Sequence, residues 1–325
     1  MAITLAQAKV GMANKVDQTV IDEFRRGSIL MDKMIFDDTV SPGTGGSTLV
    51  YGYTQLKTPA TAGFRDVNTE YTPQVADRQN KSVELKIFGG TFDVDRVIAD
   101  TSGAVNEVDF QLKEKVKATI NLFHNATING DKSVKGFDGL DKMLLGSSTE
   151  LNKDKVIDLS DASALDTNYK FLLDALDELL AEMDGKPDAL MGNGKLITRI
   201  KQAARRAGYL DKTLDGFGRA VESYNGIPLL DLQYYYDGNN TVPTVPIVTR
   251  TVNSASTTGL TDLYGARFAL DGLHAASPLG GKLIKTWLPD FKTAGAVKKG
   301  DVEMVAATVL KKTRAAAVLR NIKVQ

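Results

Sequence analysis

The chain has 325 residues, 42% hydrophobic and 25% charged, with 40 Lys and Arg against 40 Asp and Glu and no cysteine. Zero formal net charge excludes a global field toward nucleic acid or an anionic membrane, and the lack of cysteine excludes disulfides, thiolate nucleophiles and Cys-based zinc sites. The opening MAITLAQAKVGMANKVDQ has no apolar core of the secretion-signal kind, and no stretch offers about 18 consecutive apolar residues. A soluble protein without export is expected, as one large domain or two smaller ones.

From Thr19 to Phe36, Val20, Ile21, Phe24, Ile29, Leu30 and Met34 recur at roughly helical spacing, broken at Gly27. The run dissolves in Ser41-Pro42-Gly43-Thr44-Gly45-Gly46 and reads as an arm rather than a core. Leu49, Tyr51 and Tyr53 then share one face of an alternating run, and Val83, Leu85 and Ile87 one face of another, which predicts a hairpin. Between them lie Lys57 to Lys81, about 25 residues against the usual 2 to 5 of a hairpin loop. Its few apolar groups, Phe64, Val67 and Tyr71, cannot offset the entropy of ordering so polar a segment. The loop is either mobile or held by a neighbouring subunit.

Asn106 is placed to cap a helix with Asp109 at its third position and Glu107 at the positive end of the dipole. Val108, Leu112, Val116, Ile120 and Phe123 make one apolar stripe, Lys113, Lys115 and Lys117 lie opposite, and Asn129-Gly130 ends the helix. Roughly 22 residues give a rod of about 33 Å, suited to a strut across a sheet. Asn168 is expected to cap a second helix with Phe171, Leu172, Ala175, Leu176, Leu179, Leu180 and Met183 inward, stopped by Gly185 and Pro187. Asp188 to Met191 reads as a buried strand and Asn193 as the cap of a third helix through Leu196, Ile197, Ile200 and Ala204 to Gly208, opening a mixed second domain. Asn225-Gly226 between apolar runs signals a tight hairpin. Strands are expected near Val245 to Thr249 and Tyr264 to Leu270, and Val302 to Val309 and Ala315 to Val324 read as a pair joined by the basic turn Lys311 to Arg314.

Chemistry finds little support. The two histidines, His124 on the long helix and His274 in a loop, share no motif with each other or with nearby carboxylates, so a histidine triad or metal site is not supported. His124 adjoins the apolar stripe, where a partly buried, hydrogen-bonded histidine is the plainer reading. Gly43 to Thr48 lacks the lysine of a P-loop and leads into a strand, and in Gly280-Gly281-Lys282 leucine follows the lysine. Asp93 and Asp95 lack further ligands at EF-hand spacing and read as solvent-facing acids at a strand end. The basic doublets Arg25-Arg26, Arg205-Arg206, Lys298-Lys299 and Lys311-Lys312 are scattered without interleaved aromatics. If Lys113, Lys115 and Lys117 faced a packaged genome, they would meet phosphates and read no sequence. No catalytic, cofactor or metal residue is assigned.

The order of these parts resembles the major capsid proteins of tailed bacteriophages, the Hong Kong 97 fold family. An arm, a Gly-rich joint, an extended loop and a long helix similar to the family's spine helix are followed by GDKSVKGFDGL at Gly130 to Leu140, by YNGIPLL at Tyr224 to Leu230, and by the closing DVEMVAATVLKKTRAAAVLRNIKV. Each motif is weak alone, and their order over nearly the whole chain carries the resemblance. It implies an α+β fold with an N-terminal arm (1–46), an extended β-hairpin loop (47–95), a peripheral domain with the spine helix (96–165), a mixed α/β axial domain (166–298) and closing strands returning to the peripheral domain (299–325).

It also implies a structural, non-enzymatic subunit that self-assembles into pentamers and hexamers of an icosahedral capsid around double-stranded DNA. The loop would lie on the adjacent subunit through Lys57, Phe64, Arg65, Glu70, Tyr71, Arg78 and Lys81. No cofactor and no membrane contact are implied. The arm begins almost at Met1, so a separate scaffolding protein is expected, beside a portal, optional decoration proteins and DNA held by non-specific contact, in a virion assembled in the host cytoplasm. Some members join a loop lysine to an asparagine by an isopeptide bond; Lys57, Lys81 and Asn321 are suitable residue types, and none aligns to such a site. Two rivals stand beside this reading: an encapsulin-like shell around an enzyme cargo, and a soluble α/β enzyme using Asp and Glu.

Overall fold

The computed structural model describes residues 29–38, 40, 49–101, 106–208, 211–214, 220–278 and 283–325. In chain order its elements are α1 (Ile29–Lys33), β1 (Phe36–Asp37), β2 (Val50–Thr58), β3 (Asp77–Glu84), β4 (Lys86–Asp95), α2 (Arg96–Thr101) and α3 (Glu107–Asn129). Then come α4 (Leu140–Met143), β5 (Glu150–Leu151), β6 (Ile157–Asp158), α5 (Ala162–Glu182), β7 (Ala189–Gly192), α6 (Gly194–Ala207), β8 (Asp211–Leu214) and β9 (Ala220–Tyr224). The remainder is strand: β10 (Ile227–Asp231), β11 (Tyr234–Tyr236), β12 (Thr241–Pro243), β13 (Val248–Val252), β14 (Ala255–Ala266), β15 (Leu273–Ala276), β16 (Ile284–Trp287), β17 (Val297–Leu310) and β18 (Ala316–Lys323). The fold class is α+β.

Two sheets organise the chain. In the first, β17 is the axis: β4 pairs along one edge from Val297↔Asp95 to Ala306↔Lys86, and β16 and β15 share the other. In the second, β5, β18, β14, β7, β10, β9 and β8 follow in that order, with β13 on β14 and β6 on β18. The expected pairing of the two closing strands does not occur. β17 and β18 belong to different sheets, because the one-turn 3-10 helix Thr313–Ala315 between them carries the chain across instead of folding it back.

The long helix α3 forms as its cap predicts, with Asn106 Oδ1 accepting from Asp109 N at 3.2 Å. Val108, Leu112 and Val116 pack on Phe92, Val94 and Val302 of the first sheet, and Phe123 is fully buried farther along. The stop differs from a left-handed glycine: Gly130 has φ −57 and is needed for closeness, since a Cβ there would lie 2.3 Å from Phe137 O and 2.4 Å from Ala126 O. Gly139 sits on the same spot from the other side, where a Cβ would meet Ile128 O at 2.5 Å. The glycines of the GFDGL segment therefore let a turn lie directly on the helix end, with Phe137 and Leu140 buried.

Helix α5 starts at Ala162 rather than after Asn168. Asp161 is the cap, accepting from Ala164 N at 2.8 Å, and Asn168 lies within the helix, its Nδ2 donating to Asp158 O at 2.9 Å. Leu165, Leu172, Leu176 and Leu179 form the buried stripe. Phe171, expected inward, flanks that stripe and is 63% exposed. Asn193 caps α6 as expected, and Gly208 closes it at φ 77. The Asn225-Gly226 turn joins β9 and β10 with both residues at positive φ, as a tight hairpin needs. The expected strands near Val245 and Tyr264 form as β13 and β14, displaced along the chain.

Of the segment read as an arm, Leu30, Met34 and Val40 are core residues rather than surface ones. His274 lies in strand β15, not in a loop, and is fully buried.

Candidate assembly surface

The predicted hairpin exists and its root is locked to the body. β2 and β3 pair from Val50↔Glu84 to Thr58↔Asp77. Alternation turns Tyr51, Tyr53 and Gln55 toward the body. Tyr51 Oη donates to Asp37 Oδ2 at 2.6 Å, Tyr53 Oη to Leu310 O at 3.2 Å, and Gln55 Nε2 to Lys311 O at 3.0 Å. Lys311 Nζ lies 5.3 Å over the Tyr51 ring, and the His274 ring meets the Tyr51 ring edge-on at 5.7 Å. Burial, then the hydrogen bond to Asp37 and its charge, push the Tyr51 phenol well above its ordinary value. The second expected apolar run divides here: Leu85 is buried, the chain leaves the hairpin, and Ile87 in β4 is 59% exposed.

Beyond Thr58 and before Asp77 the chain has no regular structure, and every residue is exposed. Phe64, Val67, Tyr71 and Val75 stand in solvent, Phe64 completely. The loop's shape comes from its own polar contacts. Arg65 stacks over Tyr71 at 5.3 Å and donates to Asp66 O and Thr69 O, and Thr61 Oγ1 donates to Gln74 Oε1. Of the other residues assigned to an inter-subunit contact, Lys57 pairs with Asp77 at 3.2 Å, Glu70 is exposed, and Arg78 and Lys81 stand on β3 opposite Leu56 and Tyr53.

Helix α3 also meets the segment from Leu232 to Thr244 through side chains that bind backbone. Asn121 Nδ2 donates to Tyr234 O at 3.3 Å and its Oδ1 accepts from Tyr236 N at 3.2 Å. His124 Nε2 bonds Leu232 O at 2.9 Å, and Asn129 Nδ2 donates to Thr244 O at 2.6 Å. Burial holds the His124 pKa below its ordinary value, although the Leu232 carbonyl works the other way.

A buried ionic network ties the closing strand to the second sheet. Arg320 donates from Nε to Glu150 Oε1 at 3.0 Å, from Nη1 to Asp141 Oδ1 and to Asp262 Oδ2 at 3.0 Å, and from Nη2 to Asp141 O at 3.1 Å. Arg250 grips Asp262 with two bonds of 2.6 Å, and Tyr264 Oη donates to Asp141 Oδ1 at 3.1 Å. Burial disfavours the Arg320 charge, yet Asp262 and Asp141 outweigh it and raise its pKa. The sequence signal for this site, not used among the candidates of the sequence analysis, is a single charge inside each of the apolar runs LTDLYG and AVLRNI.

The remaining sequence candidates are placed as follows. Asp95 Oδ1 accepts from Val97 N at 2.8 Å and caps α2, and Asp93 lies beside it, partly buried rather than fully solvent-facing. Among the described residues no group of three or more His, Cys, Asp or Glu is placed to hold a metal ion. Asn321 spends its amide on Asn152 O and Lys153 O, inside its own subunit. Arg205 and Arg206 pair with Glu222 and Asp166, Lys311 and Lys312 with Asp37 and Asp184, and Lys298 bonds Thr293 and Ala294 O. Arg25-Arg26, the loop Gly43 to Thr48 and Gly280-Gly281-Lys282 lie outside the described residues. No described helix is long and apolar enough to cross a membrane.

No family model and no curated protein sequence matches the chain. Solved structures do, over essentially their whole length. An encapsulin from Synechococcus elongatus, in the holo-SrpI complex, is 16% identical with a TM-score of 0.65, covering 99% of this chain and 97% of its own. The capsid of the Myoviridae phage XM1 is 11% identical at 0.61, covering 98% and 99%, and that of the native GTA particle is 11% identical at 0.59, covering 97% and 96%. With likeness to such shell proteins running over nearly the whole of both chains, this chain has the capsid fold of the Hong Kong 97 type.

Proposed function

We propose that this chain is a structural subunit that self-assembles into a closed protein shell, as pentamers and hexamers of an icosahedral capsid enclosing double-stranded DNA. The observation that carries the reading is the hairpin: a root fixed by three side-chain hydrogen bonds holds out a tip, residues 59–76, whose apolar groups are all exposed. Display of Phe64, Val67 and Val75 to water is unfavourable for an isolated subunit and is relieved when a neighbour covers them. Repetition of one such heterologous contact closes rings, and many modest contacts sum to a stable shell.

Under this reading the partners are copies of the chain, a separate scaffolding protein, a portal, optional decoration proteins and packaged DNA, in a virion put together in the host cytoplasm. The pairing of the described basic doublets with acids and backbone supports DNA contact that is local and non-specific rather than a continuous basic track. A second reading, a shell around an enzyme cargo, is favoured by the likeness to the encapsulin at a TM-score of 0.65. Electron microscopy of the purified protein, with nucleic acid extraction from any particles, tests both. Closed particles carrying DNA support the capsid, closed particles carrying protein support the cargo shell, and a lasting monomer or dimer under assembly conditions refutes both.

A further inference from the structure

Under the hairpin root lies a histidine with one ring nitrogen left over. His274, in β15, is fully buried, and its Nε2 has no hydrogen-bond partner among the described residues. Nδ1 reaches only Gly272 O, at 3.4 Å. What the imidazole does meet is Tyr51 of the hairpin, ring edge against ring face with centroids 5.7 Å apart. A buried nitrogen without a partner is tolerable while the ring is neutral and costly once it carries a proton.

The two rings belong to parts held with unequal strength. β15 is hydrogen-bonded on both edges, to β17 through His274↔Val309 and its neighbours and to β1 through Phe36↔Ala275 and Asp37↔Ala276, so His274 cannot leave without breaking a sheet. β2 pairs with β3 alone. Their ribbon meets the body through the side chains of Tyr51, Tyr53 and Gln55, and a two-stranded ribbon is marginally stable without such support. When the two rings are driven apart, the ribbon is the part that moves.

The charges around His274 do not welcome another cation. Lys311 from the end of β17, Asp37 from β1 and Asp271 from the turn before β15 act on it, and Tyr51 stands against it with Tyr53 beside. Both carboxylates are engaged: Asp37 accepts from Tyr51 at 2.6 Å with Lys311 Nζ 4.0 Å away, and Asp271 accepts from Arg267 at 2.8 Å. Burial, then the Lys311 charge, hold the His274 pKa below its ordinary value, although the Gly272 carbonyl, Asp37 and Asp271 work the other way.

We infer that His274 is an acid-operated latch for the hairpin: neutral, it seats Tyr51 and holds the root shut; protonated, it repels Lys311 and needs water that only withdrawal of Tyr51 admits, so the root leaves the body. The device lies within one subunit and does not rest on the shell reading. With Tyr51 withdrawn the imidazole titrates near its ordinary ~6.5, while the seated one stays neutral to lower pH. Protons therefore bind the open form first, and its population rises as pH falls below about 6.5, by at most about tenfold per pH unit.

Amide hydrogen exchange on the purified chain tests this, at one assembly state confirmed by size-exclusion chromatography at each pH. Between about pH 7 and about pH 5.5, protection across β2 and β3, corrected for the intrinsic pH dependence of exchange, is expected to fall roughly fivefold to tenfold, with β4 and β17 unchanged. His274→Gln, which fills the site without titrating, is expected to abolish the fall. Equal protection at both pH values, a fall shared by β4 and β17, or the same fall in His274→Gln overturns the latch. Should His274→Gln not fold, the unsubstituted chain decides. Exchange at the imidazole C2 position, read by mass spectrometry, titrates His274 apart from the chain's one other histidine, His124. Titration of His274 over the same pH range in which β2 and β3 lose protection supports the latch, and loss of protection where His274 does not change charge overturns it.

Discussion

Tyr51 donates to Asp37 Oδ2 at 2.6 Å, joining the hairpin root to strand β1, and Lys311 caps the same ring from the end of β17. Three elements far apart in sequence thus meet at one phenol. Tyr51→Phe removes the donor and leaves a partly buried carboxylate short of one partner, at a cost of about 1–3 kcal/mol. Denaturant unfolding measures the loss, and faster amide exchange across β2 and β3 than across β4 locates it.

The same phenol gives a pH dependence. Its folded pKa is raised above the ordinary 10.0, first by burial and then by Asp37. A raised value means that its contribution is complete below pH about 10, the unfolded value. Above that, the unfolded chain releases a proton that the folded chain keeps, so stability falls as pH climbs. Tyr264, raised by burial and by Asp262 and Asp141, adds in the same direction. Alkaline unfolding followed by phenolate absorbance is expected to be shallower in Tyr51→Phe than in the unsubstituted chain.

His124 works at the other end of the scale. Burial lowers its pKa from 6.5, so its contribution is complete above that pH and is lost as acid charges the unfolded chain first. His124→Gln keeps a donor for Leu232 O but does not titrate. Stability measured from about pH 7 down to about pH 5 is expected to decline less in this variant, and an unchanged slope would assign the acid sensitivity to other groups such as His274.

Arg320 is the hub of the buried network, with its side chain 8% exposed. Arg320→Ala removes the buried cation shared by Glu150, Asp141 and Asp262, leaving Asp262 only Arg250 and Glu150 only the half-exposed Lys153, and the expected loss is about 3–5 kcal/mol. Arg206→Ala, which breaks the more exposed pair with Asp166, is expected to cost under about 1 kcal/mol. Denaturant midpoints at constant slope distinguish the two.

Replacing residues 59–76 by Asn-Gly is expected to leave a folded subunit, since none of them is buried. Shortening the loop alters the closure entropy by only about 2 kcal/mol. Far-ultraviolet circular dichroism should be that of the parent less its loop, while electron microscopy shows no closed particles. Normal shells from this variant would remove the hairpin tip from the assembly contact.

Several features were determined by the sequence alone because their physics is local. Asn106 and Asn193 cap helices through bonds spanning two or three residues, and Asn225-Gly226 turns a hairpin because those two residues tolerate positive φ. The long polar loop was legible for the same reason: too few apolar groups lie within it to order it by burial. Tertiary structure alone decided the rest. Strands β17 and β18 look like one pair, yet backbone hydrogen bonding does not depend on side-chain identity, so only packing of the whole chain sends them to different sheets. Phe171 fits a helical stripe by spacing and stays exposed because no neighbour reaches that side of α5. Arg320 is a lone charge in its strand until Asp141, Glu150 and Asp262, up to 179 positions away, surround it.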